Sequence, residues 1–188
     1  MTSPGSVTVP GVAGTAAVVV TIGVEEGIVL AIVFSLFRHV RHSYRPHTVV
    51  LAFDADGQRI PVPATPGTVT EPGLVIYRFG ADLFYANDHR FTDDVRALIA
   101  HAPTPVRWFI VDAEAITDLD YSAACSIREL LDDLAQRKVG VIFARVSPYL
   151  RSDMDRHGVT AALGETRVFT TLHEAIAAAR GDLRARST

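Results

Sequence analysis

The chain has 188 residues, of which 48% are hydrophobic, and it carries a formal net charge of −3. This charge balance gives no indication of a nucleic-acid-binding surface, so nucleic acid is not an expected partner. Its single cysteine, Cys125, excludes an internal disulfide framework and a metal site built from several cysteines.

An apolar segment covers residues 12–37 and is interrupted only by the adjacent carboxylates Glu25 and Glu26. About 20 apolar residues are enough to span a bilayer, but two carboxylates at its centre would cost several kcal/mol. The pattern therefore favours a membrane hairpin of two short helices, residues 12–24 and 27–37, that turns at the acidic pair. A single tilted span and a hydrophobic helix pair of a soluble protein remain open alternatives.

A basic cluster follows this apolar segment directly. Positive charge beside an apolar segment is typical of a cytoplasmic flank, so Arg38, Arg41 and Arg45 are expected to contact lipid headgroups at the membrane surface. Three histidines lie in and beside the cluster, but their loose spacing and the lack of accompanying carboxylates or cysteines argue against a metal site. Residues 12–45 are therefore predicted to form a membrane-associated helical segment, with the rest of the chain in the cytoplasm.

The remainder of the chain divides into a linker and a compact domain. Residues 46–73 contain a strand at 48–53 and then a linker rich in proline and glycine. Strand and helix patterns alternate over residues 74–181, which predicts an α/β fold with a mixed, largely parallel sheet and packed helices. The flanking residues 1–11 and 182–188 are assigned as a loose N-terminus and a tail.

Within the α/β domain, short apolar runs predict strands, and apolar residues repeating every three to four positions predict helices. Strands are predicted at 74–79, 83–85, 106–112, 139–144 and 167–169. The first two of these strands are expected to form a hairpin. Helices are predicted after Asn87, after the acidic loop that ends at Asp120, at 148–156 and at 171–180.

The loop that leads into the second of these helices holds the candidate site, which consists of Asp118, Asp120, Tyr121, Ser122 and Ala123. Asp120 and Ser122 are residue types that cap a helix through a side-chain oxygen. The first amides of the helix can also hold an anion. The sequence leaves open whether the loop only closes the fold or also binds a ligand.

Motifs for catalysis and for tightly bound cofactors are absent from the sequence. There is no Gly-x-x-x-x-Gly-Lys phosphate loop, no Gly-x-Gly-x-x-Gly turn and no Gly-x-Ser-x-Gly elbow. Asp118 and Asp120 lie on one loop, which is a poor arrangement for flanking a substrate. We therefore predict neither an enzyme nor a resident cofactor.

Four stretches, taken in chain order, resemble one family. Gly-Val-Glu-Glu-Gly-Ile at 23–28 is similar to the turn between the final two membrane segments of SulP-type anion permeases. Ser-Tyr-Arg-Pro-His at 43–47 is similar to the segment that leaves their last membrane helix. Leu-Phe-Tyr-Ala-Asn at 83–87 is similar to the Phe-Ala-Asn signature that precedes the first helix of their STAS domains. Asp-Tyr-Ser-Ala at 120–123 resembles the Asp-Ser-Ser-Gly turn of bacterial anti-sigma factor antagonists, which share the STAS fold.

The resemblance implies the C-terminal portion of a sulfate or other anion permease, including its STAS domain. Such a portion would regulate or assemble the transporter, with the permease transmembrane domain or a second copy as its partner, and it would not transport alone. Two alternatives remain: a soluble switch protein like the antagonists, and a module that senses nucleotide weakly through the acidic loop. The serine that is phosphorylated in the antagonists corresponds to Tyr121 here, which argues against serine phosphorylation at that position.

Overall fold

The computed structural model describes residues 24–44, 46–54 and 56–185, and within the first of these ranges it describes the side chains of residues 26–36. The chain divides into two compact units, Met1–Tyr44 and Arg45–Thr188. The described part of the first unit is helix α1 (Val24–Tyr44).

Helix α1 differs from the predicted hairpin at the acidic pair. It begins at Val24, so Glu25 and Glu26 lie in its first turn and not in a turn between two helices. The positive end of the helix dipole favours carboxylates at this position. The other half of the predicted hairpin, residues 12–23, lies outside the described residues.

Apolar side chains cover much of the described surface of α1. Seven of them are at least 39% exposed: Ile28, Val29, Leu30, Ile32, Val33, Phe34 and Leu36. Among the described residues, no helix combines the length and the apolar character that crossing a membrane requires. The predicted membrane segment also includes residues outside the described part of the chain.

The second unit contains six strands and five α-helices in the described residues. The strands are β1 (Thr48–Phe53), β2 (Arg59–Pro63), β3 (Leu74–Phe79), β4 (Trp108–Asp112), β5 (Gly140–Ala144) and β6 (Val168–Phe169). The helices are α2 (Asp88–Ala100), α3 (Tyr121–Gln136), α4 (Pro148–Arg156), α5 (Val159–Leu163) and α6 (Leu172–Ala185).

The strands form one sheet in the order β2-β1-β3-β4-β5-β6. Strand β1 pairs antiparallel with both of its neighbours, whereas β3, β4, β5 and β6 are parallel to one another. The predicted mixed, largely parallel α/β sheet is therefore confirmed. The carboxyl ends of β3, β4 and β5 lie at the same end of the sheet, which we call the carboxyl edge. The opposite end is the amino edge. Both differ from the open side of the sheet, which is formed by the edge strand β2.

Both faces of the sheet are covered, which explains the continuous apolar runs in its central strands. One face packs against α2, α3, α4 and α5, and its core includes Tyr77, Phe91, Phe109 and Ile127. The other face packs against α6 through a smaller core that includes Ile110 and Ile176, among others. Alternate residues of a strand point to opposite faces, so each central strand contributes to both cores.

The prediction of a linker after residue 53 was wrong in part, because β2 lies within it. Its Pro61 and Pro63 pair in register with Leu51 and Val49 of β1. Backbone groups two residues apart point to the same side of a strand, so both prolines can face the open edge of the sheet, where no amide donor is needed. The proline content led to the prediction of a linker where the chain forms an edge strand.

The predicted hairpin strand at 83–85 was also wrong. Leu83 makes an isolated parallel bridge to Leu119, and the residues after it turn into α2. Asn87 fixes this turn, because its Oδ1 accepts from the amide of Phe84 at 3.1 Å and its Nδ2 donates to the carbonyl of Asp82 at 2.8 Å.

The C-terminal region contains more helix than the sequence predicted. Helix α5 lies between Gly158 and Gly164, and both of these flanking glycines have positive φ, 76° and 96°. Helix α6 continues past Gly181 to Ala185. Its last turns are held from outside, because the indole Nε1 of Trp108 donates to Asp182 at 3.0 Å. The boundary predicted at residue 181 therefore falls inside a helix.

Candidate functional site

Asp120 joins two loops at the carboxyl edge of the sheet. It is the N-cap of α3, and its Oδ1 accepts from the amide of Ala123 at 2.8 Å. Its Oδ2 accepts from the amide of Tyr85 at 2.9 Å. One carboxylate therefore caps the helix and ties the loop before α2 to the start of α3.

A second carboxylate holds the beginning of the acidic loop. Oδ1 of Asp82 accepts from the amides of Thr117 and Asp118, at 2.6 and 3.0 Å, and from the hydroxyl of Thr117 at 2.8 Å. Three donors on one oxygen fix the loop backbone. This arrangement places the negative charge of Asp82 next to the loop that carries the predicted site.

The bridge between Leu83 and Leu119 completes the connection between the two loops. The amide of Leu83 donates to the carbonyl of Asp118, and the amide of Asp120 donates to the carbonyl of Leu83, both at 3.1 Å. The amide of Leu119 is 3.4 Å from Oδ2 of Asp153, which lies on α4. The carboxylates of Asp82, Asp120 and Asp153 thus accept hydrogen bonds from backbone amides of residues 117–123.

The five predicted site residues lie together but differ in exposure. Asp118 and Ser122 are exposed, Tyr121 is 66% exposed, and Ala123 is buried. Ser122 does not cap the helix, because Asp120 holds that position. An approaching anion would meet the carboxylates of Asp118 and Asp120, and the amide of Ala123 already donates to Asp120. The geometry therefore suits positive groups and hydrogen-bond donors better than a phosphate.

Sequence reasoning missed two exposed tyrosines at the carboxyl edge. Tyr85, in the loop before α2, is 67% exposed, and Tyr149, in the first turn of α4, is 79% exposed. Together with Tyr121 they are the exposed tyrosines at this edge among the described residues, and we call them the tyrosine surface. The ring of Tyr121 meets the ring of His157 edge-on, with centroids 5.9 Å apart. Exposed tyrosines are common at protein interfaces because they combine a large apolar area with a polar group. Tyr85 lies in a loop, whereas Tyr121 and Tyr149 lie in the first turns of α3 and α4, so their shared position at the carboxyl edge follows from the sheet order, which the sequence does not reveal.

A charged cluster at the carboxyl edge was also missed. The fully buried Asp112 accepts from Nε of Arg78 and from Nη2 of Arg145, both at 2.8 Å. Glu114 pairs with the same two arginines at 3.0 and 2.7 Å. The cluster fastens together the ends of β3, β4 and β5. In the sequence, the one indication of this cluster was Arg78, a charged residue within the otherwise apolar strand β3.

Two polar atoms of this charged cluster lack a hydrogen-bond partner among the described residues. They are Oδ1 of Asp112 and Nε of Arg145, both of them buried. Arg145 also has a positive φ of 58°, which is uncommon for a residue other than glycine. The cluster therefore holds the strand ends together without satisfying every group within it.

The side chains of the predicted membrane-surface residues lie outside the described part of the chain. Arg38 and Arg41 belong to the C-terminal half of α1, but their side chains lie outside the described residues, and so does Arg45. Within the described residues, no group of three or more histidine, cysteine or carboxylate side chains could hold a metal ion.

Comparison with known proteins gives the family. The STAS domain family matches residues 65–175. A probable sulfate transporter of Mycobacterium tuberculosis is 30% identical over 88% of this chain, and the match covers 30% of that transporter. The chain therefore spans less than a third of the length of this relative.

Solved structures show the same fold. The structure of SLC26A9 matches 92% of this chain and 30% of its own chain, with a TM-score of 0.70 and 17% identity. The STAS domain of a SulP transporter from Vibrio cholerae matches 61% of this chain and 87% of its own, with a TM-score of 0.52 and 16% identity. The chain belongs to the STAS domain family, and its relatives are sulfate transporters of the SulP and SLC26 type.

Proposed function

We propose that this chain is the C-terminal, STAS-containing portion of a SulP-type sulfate or other anion permease. In this proposal it regulates or assembles the transporter, is not an enzyme and does not form a transport pathway alone. The main support is the joining of α1, whose apolar side chains are exposed, to a packed STAS domain. The match to the mycobacterial sulfate transporter covers 88% of the chain and so includes both parts.

The proposed partner of α1 is the transmembrane domain of a permease. Exposed side chains such as Ile32 and Phe34, 60% and 62% exposed, favour apolar surroundings over water. The basic residues Arg38, Arg41 and Arg45 would lie near lipid headgroups, with the STAS domain in the cytoplasm. The carboxyl edge, with its acidic loop and tyrosine surface, would contact the membrane domain or a second copy.

The two alternatives receive less support from the geometry. A nucleotide phosphate at the start of α3 would compete with Asp120 for the amide of Ala123 and would be repelled by Asp118. A serine switch would have to act through Ser122, because Tyr121 holds the position phosphorylated in the antagonists. Both alternatives remain hypotheses about this loop.

Photocrosslinking in native membranes tests the proposed contact. A photoreactive phenylalanine analogue replaces Tyr121 at the carboxyl edge, and in a control chain it replaces the exposed Arg107 at the amino edge. The proposal predicts a crosslink from position 121, but not from position 107, to a multi-span membrane protein or to a second copy. Crosslinks from position 121 to soluble proteins alone would favour the switch-protein alternative and contradict the proposal.

A further inference from the structure

A basic groove lies at the amino edge of the sheet, away from the acidic loop. Its volume is about 710 Å³, and it runs between α6 and the hairpin of β1 and β2. Four basic residues line it: Arg59, His173, Arg180 and Arg184. No carboxylate is among the described residues that line this groove.

Two acidic residues close to the groove, Asp54 and Glu71, already accept hydrogen bonds within the domain. Oδ1 of Asp54 accepts the amides of Asp56 and Gln58 within its own turn, at 3.0 and 2.7 Å. Glu71 forms a two-bond pair with Arg180, at 2.9 and 2.7 Å. These contacts neutralise Arg180, whereas Arg59 is exposed and forms no ion pair with another described residue.

The groove also has an apolar component. Phe53, Ile176 and Ala177 line it between the basic residues. The guanidinium of Arg180 lies 5.0 Å from the ring centroid of Phe53 and so extends this surface. A fitting ligand therefore combines negative charge with apolar groups, and the volume exceeds what a small inorganic anion would fill.

The edge strand β2, beside the groove, is poorly suited to binding a ligand by addition of a further strand. Strand β2 is the edge of the sheet, but Pro61 and Pro63 have no amide hydrogens to offer an added strand. Recognition must then come from side chains, such as the exposed Arg59 at the start of β2. Arginine is well suited to carboxylates because its planar guanidinium can form two parallel hydrogen bonds.

The chain itself offers no acidic segment from its undescribed ends. Residues 1–23 and 186–188 contain neither aspartate nor glutamate. We infer that the basic groove is a docking site for an acidic segment of a partner protein, one that alternates carboxylates with apolar side chains. This site is separate from the tyrosine surface and does not depend on the proposed function.

A labelled peptide in which glutamate alternates with leucine tests the inference by fluorescence anisotropy, with the full chain in mild detergent. The comparison peptide has glutamine in place of glutamate. We expect saturable binding of the acidic peptide, and about tenfold weaker binding by the Arg59→Glu chain, from loss of one charge-assisted contact. Arg107→Glu is the matched control, because it makes the same charge change outside the groove.

Several results would overturn the inference. Equal affinity for the glutamine peptide would show that charge is not recognised. An equal loss of affinity for the acidic peptide in the Arg59→Glu and Arg107→Glu chains would show only a general electrostatic effect. Circular dichroism checks the fold of each chain. A second variant, His173→Glu, introduces a negative charge at an exposed position on the opposite wall of the groove. Unchanged binding by that variant would also contradict the docking site.

Discussion

Helices α1 and α3 place similar side chains in opposite surroundings. In α3, Ile127 and Leu134 are 2% and 1% exposed, because the helix packs on the sheet. In α1, Ile32 and Leu36 are 60% and 63% exposed. Burial of apolar area is the main favourable contribution to folding. Because the apolar residues of α3 are already buried against the sheet, the STAS domain has a core that needs no further partner. The exposed apolar surface of helix α1 is of the kind that packs against another apolar surface, such as a membrane protein or lipid.

The sharpest test of this contrast makes the same substitution in both regions. Phe109 is fully buried against Tyr77, with ring centroids 5.8 Å apart, whereas Phe34 is 62% exposed. Phe109→Ala should lower the free energy of unfolding of the STAS domain by about 3–5 kcal/mol through lost burial and cavity formation. Phe34→Ala should change it by less than about 0.5 kcal/mol. Denaturant titration in detergent, followed by tryptophan fluorescence, measures both.

The charged cluster allows a similar comparison within the STAS domain. Asp112→Ala should cost about 3 kcal/mol of stability, because Arg78 and Arg145 would lose their buried partner. Glu114→Ala should cost less than about 1 kcal/mol, since Glu114 is 49% exposed. The same denaturant titration applies, and equal costs for the two variants would mean that burial of Asp112 does not set its importance.

At the start of α3, the capping residue and its neighbour should respond differently. Asp120→Ala removes the acceptor for the amides of Ala123 and Tyr85 and should cost about 1–2 kcal/mol. Ser122→Ala should stay within about 0.5 kcal/mol, because Ser122 is exposed and makes no cap. A thermal melt of each variant by circular dichroism separates the two effects. A larger loss from Ser122→Ala would contradict the assigned N-cap.

The smallest expected effect at neutral pH concerns the buried hydroxyl of Tyr77. Burial, reinforced by the adjacent Asp94, raises the pKa of Tyr77 well above its ordinary value of about 10. Above pH 10 the unfolded chain therefore releases this proton while the folded chain keeps it. Stability should then fall by about 1.4 kcal/mol per pH unit from this group, and it should not change below that pH.

Tyr77→Phe is the matched variant for this prediction. It removes the hydrogen bond to Asp94, 3.0 Å long, at a cost of about 1 kcal/mol at neutral pH. The variant should lose less stability than the parent chain between pH 10 and pH 11 in urea titrations. Identical pH dependence of the two chains would contradict the assigned protonation state.

The parts of the fold that the sequence predicted are those with a strong local pattern. Strands β3, β4 and β5 are apolar runs covered on both faces, and α3 repeats its apolar residues at helical spacing. The prolines of β2 concealed its strand pairing, because edge position is a property of the whole sheet. Leu83 looked like part of a strand, but its bridge partner Leu119 lies 36 residues later in the sequence.

The site was predictable only in part, for a related reason. Asp120 as a helix cap follows from its place before an amphipathic segment. By contrast, Asp82 binds the amides of Thr117 and Asp118, and Arg78 pairs with Asp112, through contacts that only the sheet order creates. The tyrosine surface likewise combines the loop before α2 with the first turns of α3 and α4. No local pattern contains that information.

Alkaline extraction of membranes from cells that produce the full chain tests the central claim most directly, namely that α1 attaches a self-sufficient STAS domain to a membrane or membrane protein. The parent chain should stay in the washed pellet, and the Ile32→Lys/Leu36→Lys chain should move largely to the supernatant, because two charges on α1 oppose apolar contact. A Thr104→Lys/Gln136→Lys chain, altered at exposed positions of the STAS domain away from the carboxyl edge, should remain in the pellet. Release of the parent chain, or retention of the α1 variant, would contradict the account.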